Sequence, residues 1–74
     1  MKVEVKLFAT FRNGRWKTKV LSLEDDASIK EVLHLLEIKD EALGIALING
    51  KHSTLESTLR DGDVLALFPP IGGG

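Results

Sequence analysis

Apolar and polar positions alternate from the first residues of the chain. Val3, Val5 and Leu7 share one side, and Lys2, Glu4, Lys6 and Phe8 the other. A period of two marks a half-buried strand over residues 2–8. Arg12-Asn13-Gly14-Arg15 contains Asn-Gly, the pair a tight hairpin turn prefers because both central residues need positive φ. Residues 16–23 then read as the returning strand. Its parity is mixed, since Leu21 and Leu23 share a side with Lys17 and Lys19; lysines at the outer end of that face, or a bulge, reconcile the two. After the polar turn Glu24-Asp25-Asp26-Ala27, Ser28-Ile29-Lys30-Glu31 has the form of a capping box. The Ser28 hydroxyl accepts from the Glu31 amide, and the Glu31 side chain returns to the Ser28 amide. Ile29, Val32, Leu33 and Leu36 follow at helical spacing, predicting a helix of about two to three turns that ends near residues 37–39.

Gly44 breaks the chain ahead of a short apolar strand, Ile45-Ala46-Leu47-Ile48. Asn49-Gly50 repeats the hairpin signal, and residues 51–54 form a short partner. Leu55 and Leu59 anchor a surface loop, and Arg60-Asp61-Gly62-Asp63 is a tight turn that launches Val64-Leu65-Ala66-Leu67-Phe68. Leu65 and Leu67 face the core; Val64, Ala66 and Phe68 face away. A hairpin followed by a helix buries neither apolar face alone, so the helix lies across one side of the sheet. The last strand can pair with the first in parallel, because the whole chain lies between them as the crossover. The expected class is α+β, a β-grasp (ubiquitin-like) fold with a mixed sheet of about four to five strands on one main helix. Residues 1–74 make a single domain, with residues 69–74 as a protruding flexible tail.

Composition narrows the chemistry. Seventy-four residues bury only about 60% of the surface the unfolded chain exposes, so the core is thin. There is no apolar run of about 20 residues to span a bilayer and no signal-peptide core after Met1; no membrane partner and a cytoplasmic location are the expectation. Cys is absent, which removes disulfides, thiolate nucleophiles and thiolate metal ligands. Residues 1–20 carry six bases against Glu4 alone, whereas residues 21–74 carry four bases and ten acids. That basic hairpin is read as a solvated, lysine-protected edge, with no nucleic-acid partner.

No catalytic constellation emerges. His34 falls on the polar side of the helix and His52 just past a turn, two isolated imidazoles read as surface groups. Glu24, Asp25 and Asp26 cluster at a helix entry, and Asp61 and Asp63 belong to a turn; no metal site is expected. Gly72-Gly73-Gly74 is not a phosphate loop, because no helix follows it.

The tail itself is unusual. Pro69 and Pro70 fix φ and make a stiff spacer, and the glycines after them present no Cβ, so their backbone can thread a channel too narrow for side chains. Its reactive group is the Gly74 carboxylate, which becomes a good electrophile once adenylation by ATP supplies a leaving group. A passive glycine tail is the competing reading. On the sheet face away from the helix, Phe8, Val64 and Phe68 come together, with Trp16 and Val20 near them. An exposed patch of that kind marks a protein interface, unless the Arg12–Arg15 turn folds over it.

These residues resemble a known family. Arg60-Asp61-Gly62-Asp63 through Phe68-Pro69-Pro70-Ile71-Gly72-Gly73-Gly74 is similar to the carboxyl-terminal signature of the small subunit of molybdopterin synthase, one of the sulfur-carrier (MoaD/ThiS-like) ubiquitin-like proteins. Leu7-Phe8-Ala9-Thr10-Phe11-Arg12 resembles that family's first strand and following turn, and Asn49-Gly50 falls at its Asn-Gly turn. The stretch 37–44 is shorter than usual there and nearer to the thiazole-pathway carrier, whose tail lacks the two prolines. The resemblance implies a carrier that is not an enzyme on its own but a subunit of the synthase. A ubiquitin-activating-type adenylyltransferase would use ATP to adenylate Gly74, a sulfur donor protein would supply a thiocarboxylate, and no cofactor would be bound permanently. Gly72 and Gly73 would thread into the large synthase subunit, and Phe8, Val64, Phe68, Pro69, Pro70 and Ile71 would meet the partner. Sulfur would pass to a pterin precursor in molybdenum or tungsten cofactor synthesis. The alternatives are thiazole or another sulfur-transfer pathway, and a ubiquitin-like modifier joined through Gly74 to a target lysine.

Overall fold

The computed structural model of the chain describes residues 1–70. Its strands are β1 (Lys2–Leu7), β2 (Thr18–Ser22), β3 (Ile45–Ile48), β4 (Lys51–Ser53) and β5 (Val64–Phe68), with one helix, α1 (Ile29–Leu35), and short 3-10 turns at Ala9–Arg12 and Asp40–Ala42. The sheet order is β2-β1-β5-β3-β4. β1 runs antiparallel to β2 and parallel to β5, and β3 runs antiparallel to both β5 and β4. This is the predicted β-grasp: the parallel pair joins the first and last strands at the centre, and α1 covers one face.

Alternation explains which face is covered. Val5 lies opposite Leu65, and Leu7 opposite Leu67. All four side chains are fully buried, together with Val3, Ile29, Val32, Leu33 and, to within 1%, Leu59. The helix stripe therefore seats on the inward residues of the two central strands. Lys19 pairs with Val5 on that same side of β2, an outer strand, yet stays exposed, whereas Leu21 two residues on packs against the core. Lysine at an uncovered edge also discourages pairing with another chain.

Both helix ends are closed. Ser28 Oγ accepts from the Glu31 amide at 3.3 Å. At the other end Ile38 N–H donates to Leu33 O and Glu37 N–H to His34 O, while Glu37 takes φ +59°. That is the paired closure of a Schellman motif, with a glutamate in the left-handed position that glycine usually fills. The helix thus stops at Leu35, two residues ahead of the expected range. Arg15 then reaches across: its Nε and Nη2 donate to Leu36 O at 3.2 and 3.0 Å, placing a cation at the negative end of α1.

The two Asn-Gly pairs behave differently. At Asn49 (φ +52°) and Gly50 (φ +83°) both residues are left-handed, the primed hairpin turn that joins β3 to β4. At Asn13 the backbone is extended (φ −64°, ψ 120°) and only Gly14 is left-handed, with Arg15 N–H donating to Arg12 O at 3.0 Å. That is a type II turn, so the expected tight hairpin over residues 12–15 is corrected. β1 ends at Leu7 and β2 begins at Thr18, so no strand flanks the dipeptide to demand a primed turn.

Asn49 also joins distant segments. Its Nδ2 donates to Asp63 Oδ1 and its Oδ1 accepts from the Val64 amide, both at 2.9 Å. Asp63 Oδ2 in turn accepts from the Arg60 amide at 2.8 Å, so the Asp-Gly-Asp turn is locked to the β3–β4 hairpin. Asn49→Ala loses both hydrogen bonds and places a Cβ-bearing residue without local compensation at positive φ, an expected cost of about 2 kcal/mol. Asn49→Gly removes the strain and keeps only the hydrogen-bond loss, about 1 kcal/mol. Urea denaturation of both variants checks the order; equal costs would show that backbone strain contributes nothing here.

Candidate functional site

The face of the sheet opposite α1 carries the outward half of every strand. Register places Val20, Glu4 and Val64 in one row, then Thr18, Lys6, Ala66 and Leu47 in the next, and Phe68 beside Ile45. Val64, Ala66, Phe68, Leu47 and Ile45 are half-buried, and Val20 is 58% exposed. The apolar positions concentrate on β5 and β3, at the end where β5 delivers Phe68 and Pro69.

That end is built on an aromatic stack. The rings of Phe8 and Phe68 lie 4.3 Å apart and within 11° of parallel. β1 and β5 run in parallel, so both chains bring their aromatic residue to the same end of the sheet, and Phe8 N–H donates to Leu67 O at 3.2 Å. The Arg12 guanidinium sits 5.2 Å over the Phe8 ring, and its Nε donates to Leu7 O at 2.7 Å. A guanidinium over an aromatic face is attracted by the ring quadrupole. The 9–12 turn therefore covers one side of the patch with a positive group and leaves Phe68, Ile45 and Ala66 beside it.

Of the residues expected at the interface, Phe8 and Phe68 come together, whereas Val64 shares their face but lies at the opposite end of β5, in the row of Glu4 and Val20; Pro69 is half-buried at the Phe68 end, and Pro70 is exposed. Ile71, Gly72, Gly73 and Gly74 lie outside the described residues. Val20 stands at the far side, on β2. Trp16 is corrected: it packs against the buried core rather than joining Phe8, because the chain between the 9–12 turn and β2 folds it inward. Ile45 and Leu47, expected only as part of a short apolar strand, belong to this face, since α1 covers only the other. Period-two alternation through Ala46 and Ile48 was the available signal. The alternative that the Arg12–Arg15 turn folds over the patch holds for Arg12, which covers Phe8, whereas Arg15 turns away to Leu36 O.

Stacking between Phe8 and Phe68 should be measurable. In a double-mutant cycle with Phe8→Leu and Phe68→Leu, the expected coupling is about 0.5–1.5 kcal/mol by chemical denaturation. Additive losses would mean that the rings contribute only by burial.

His34 is exposed on α1 and His52 exposed on β4, so they share no site. A concavity of about 540 Å³ lies on the helix side, lined by Leu23, Ala27, Glu31, His34 and Leu35 among others, away from the tail root. No cluster of three or more metal-ligating side chains is present among the described residues, and no helix there is long and apolar enough to cross a membrane.

Comparison with known proteins agrees with this architecture. A model described as the ThiS family matches residues 5–74. Small archaeal modifier protein 3 of Haloferax volcanii is 30% identical, over 100% of both chains. A Pyrococcus furiosus protein provisionally assigned as molybdopterin converting factor, subunit 1, superposes with a TM-score of 0.77 at 25% identity, covering 96% of this chain and 99% of that one. A chain from the complex of subunits 1 and 2 of the Helicobacter pylori molybdopterin-converting factor superposes at 0.66 with 26% identity, over 100% of both.

Proposed function

The chain belongs to the ThiS family of ubiquitin-like sulfur-carrier and modifier proteins, and from that premise we propose that it carries sulfur on Gly74 for molybdopterin synthesis. In this reading the Gly74 carboxylate attacks the α-phosphate of ATP on a ubiquitin-activating-type adenylyltransferase, releasing pyrophosphate. Sulfide delivered by a sulfur donor protein then attacks the acyl carbon and expels AMP, leaving a thiocarboxylate. The large subunit of the synthase binds the charged chain, the thiocarboxylate sulfur passes to the pterin precursor, and water restores the carboxylate. The chain contributes no catalytic side chain of its own and acts as the carrier subunit of a sulfurtransferase complex.

The tail root is the observation that carries this reading. The central strand ends in Phe68 and Pro69, with Phe8 stacked on Phe68 and an uncovered apolar face alongside. A partner that grips Phe8, Val64, Phe68, Pro69, Pro70 and Ile71 would hold a fixed point from which Gly72, Gly73 and Gly74 extend into its active site. Glycine suits such a channel because its backbone needs no room for a side chain. The H. pylori relative forms a complex with a second subunit, which supports a large-subunit partner. The Phe-Pro-Pro sequence favours the pterin pathway over the thiazole pathway.

A modifier role is the second reading, favoured by identity to an archaeal modifier protein over the whole chain. One experiment separates the acceptors. Protein prepared with a Gly74 thiocarboxylate is offered to the large synthase subunit with pterin precursor, and separately to the thiazole-forming enzyme with its substrate. Sulfur incorporation into the pterin alone is the expected result. Incorporation only into thiazole, or into neither while lysine-linked adducts accumulate in cell extract, contradicts the proposed pathway.

A further inference from the structure

β3 and β5 are in register with Ile45 opposite Phe68, so the next step of the ladder places Gly44 across from Pro69. Gly44 N–H donates to Phe68 O at 2.8 Å, and Pro69 has no N–H to return. Beyond that bond the two backbones close together. A Cβ on Gly44 would stand 2.6 Å from Pro69 C, Pro69 O and Pro70 N, well inside van der Waals contact. All three are backbone atoms, which cannot swing aside as the tip of a flexible side chain does. Gly44 is not among the glycines with positive φ. Its own backbone conformation therefore does not require glycine; the approach of the Pro69–Pro70 peptide does.

We infer that Gly44 is a positioning residue for the carrier tail: its bare Cα is the seat on which the Pro69–Pro70 peptide rests, and it sets the direction in which the chain leaves the sheet. The two prolines have fixed φ, so a direction imposed at this peptide is handed on rather than lost to free rotation. Val64 and Phe68 lie on β5 and Phe8 just past the end of β1, and strand pairing rather than the seat places them. Substitution at Gly44 therefore separates gripping the carrier from aiming its end. The functional consequence rests on the proposed role of Gly74; the seat itself does not.

The test has two parts. In the wild-type protein, NMR should show an NOE between the Gly44 Hα protons and the Pro70 Hδ protons. In steady-state adenylation with the cognate activating enzyme, Gly44→Ala should lower kcat by about tenfold or more, since small misplacement of a reacting group is costly. KM for the carrier should change by less than about threefold, because Phe8, Val64 and Phe68, the part of the gripping face that precedes the prolines, stay in place. Glu41→Ala, in the exposed turn just before Gly44, should leave both constants unchanged and controls for loosening of the loop. Absence of the NOE overturns the inference even if Gly44→Ala fails to fold. So does a Gly44→Ala protein with wild-type kcat, or one whose loss lies in KM. Wild-type protein that shows the NOE but is never adenylated contradicts the proposed function and leaves the seat standing.

Discussion

Leu67→Ala should cost about 2–5 kcal/mol, the range for truncating a fully buried leucine. Leu67 is 0% exposed at the centre of the sheet, opposite Leu7 on one side and Ala46 on the other. Neither neighbouring strand can move in to fill the gap without breaking its own ladder. A chain of this length has about 4–11 kcal/mol in total, at about 0.05–0.15 kcal/mol per residue, so the single change removes a large share. Each kcal/mol moves the melting midpoint by about 4–8 °C in so small a domain, and the expected fall is roughly 8–40 °C. Leu35→Ala is the contrast. Leu35 lies on α1 but is 63% exposed, and its loss should stay within about 0.5 kcal/mol. Paired urea and thermal melts decide it; similar costs at the two leucines would contradict the placement of the core.

Deleting Gly74 should abolish activation while leaving the melt unchanged. The deletion moves the terminal carboxylate back by one residue, about 3.3–3.6 Å in an extended chain. Misplacement of a reacting group by about 1 Å can already cost about 100-fold. ATP–pyrophosphate exchange with the activating enzyme should therefore drop by at least about 100-fold. The core of Val3, Val5, Leu7, Leu65 and Leu67 lies far back along the chain from this change, so folding should not register it. Exchange at the wild-type rate would remove Gly74 from the mechanism.

These two predictions draw on different kinds of legibility. The core was readable because alternation on β1 and β5 and the helical stripe of Ile29, Val32 and Leu33 are local patterns, and local patterns suffice to choose a buried side. The topology followed from the order of those elements. What local reading missed depends on contacts between distant segments. Asn13-Gly14 and Asn49-Gly50 look alike as dipeptides, yet only the second is flanked by paired strands and held by Asp63 from another turn. Gly44 looked like a chain breaker, whereas its reason for being glycine lies at Pro69 and Pro70. Arg15 looked like a turn residue and caps α1 through Leu36 O.

The candidate site divides the same way. Phe8 and Phe68 could be grouped because they share a parity and their strands were expected to be neighbours; Val64 shares that parity, but parity does not say that it lies at the opposite end of β5. Ile45 and Leu47 could not be assigned until the sheet had an uncovered side, because four apolar residues in a row do not say which pair faces out. Arg12 joined the site only through the 3-10 turn at Ala9–Arg12 that replaces the expected hairpin. The chemistry proposed at Gly74, by contrast, is argued from the sequence alone.

Mass spectrometry of the intact protein, incubated with ATP, the cognate activating enzyme and a sulfide source, tests the central claim most directly. A sulfur carrier gains the difference between a sulfur and an oxygen atom, localised by fragmentation to the peptide that ends in Gly74, and only when ATP is present. A terminal peptide of unchanged mass, or one recovered only as an amide of a lysine side chain, would contradict a sulfur-carrier function.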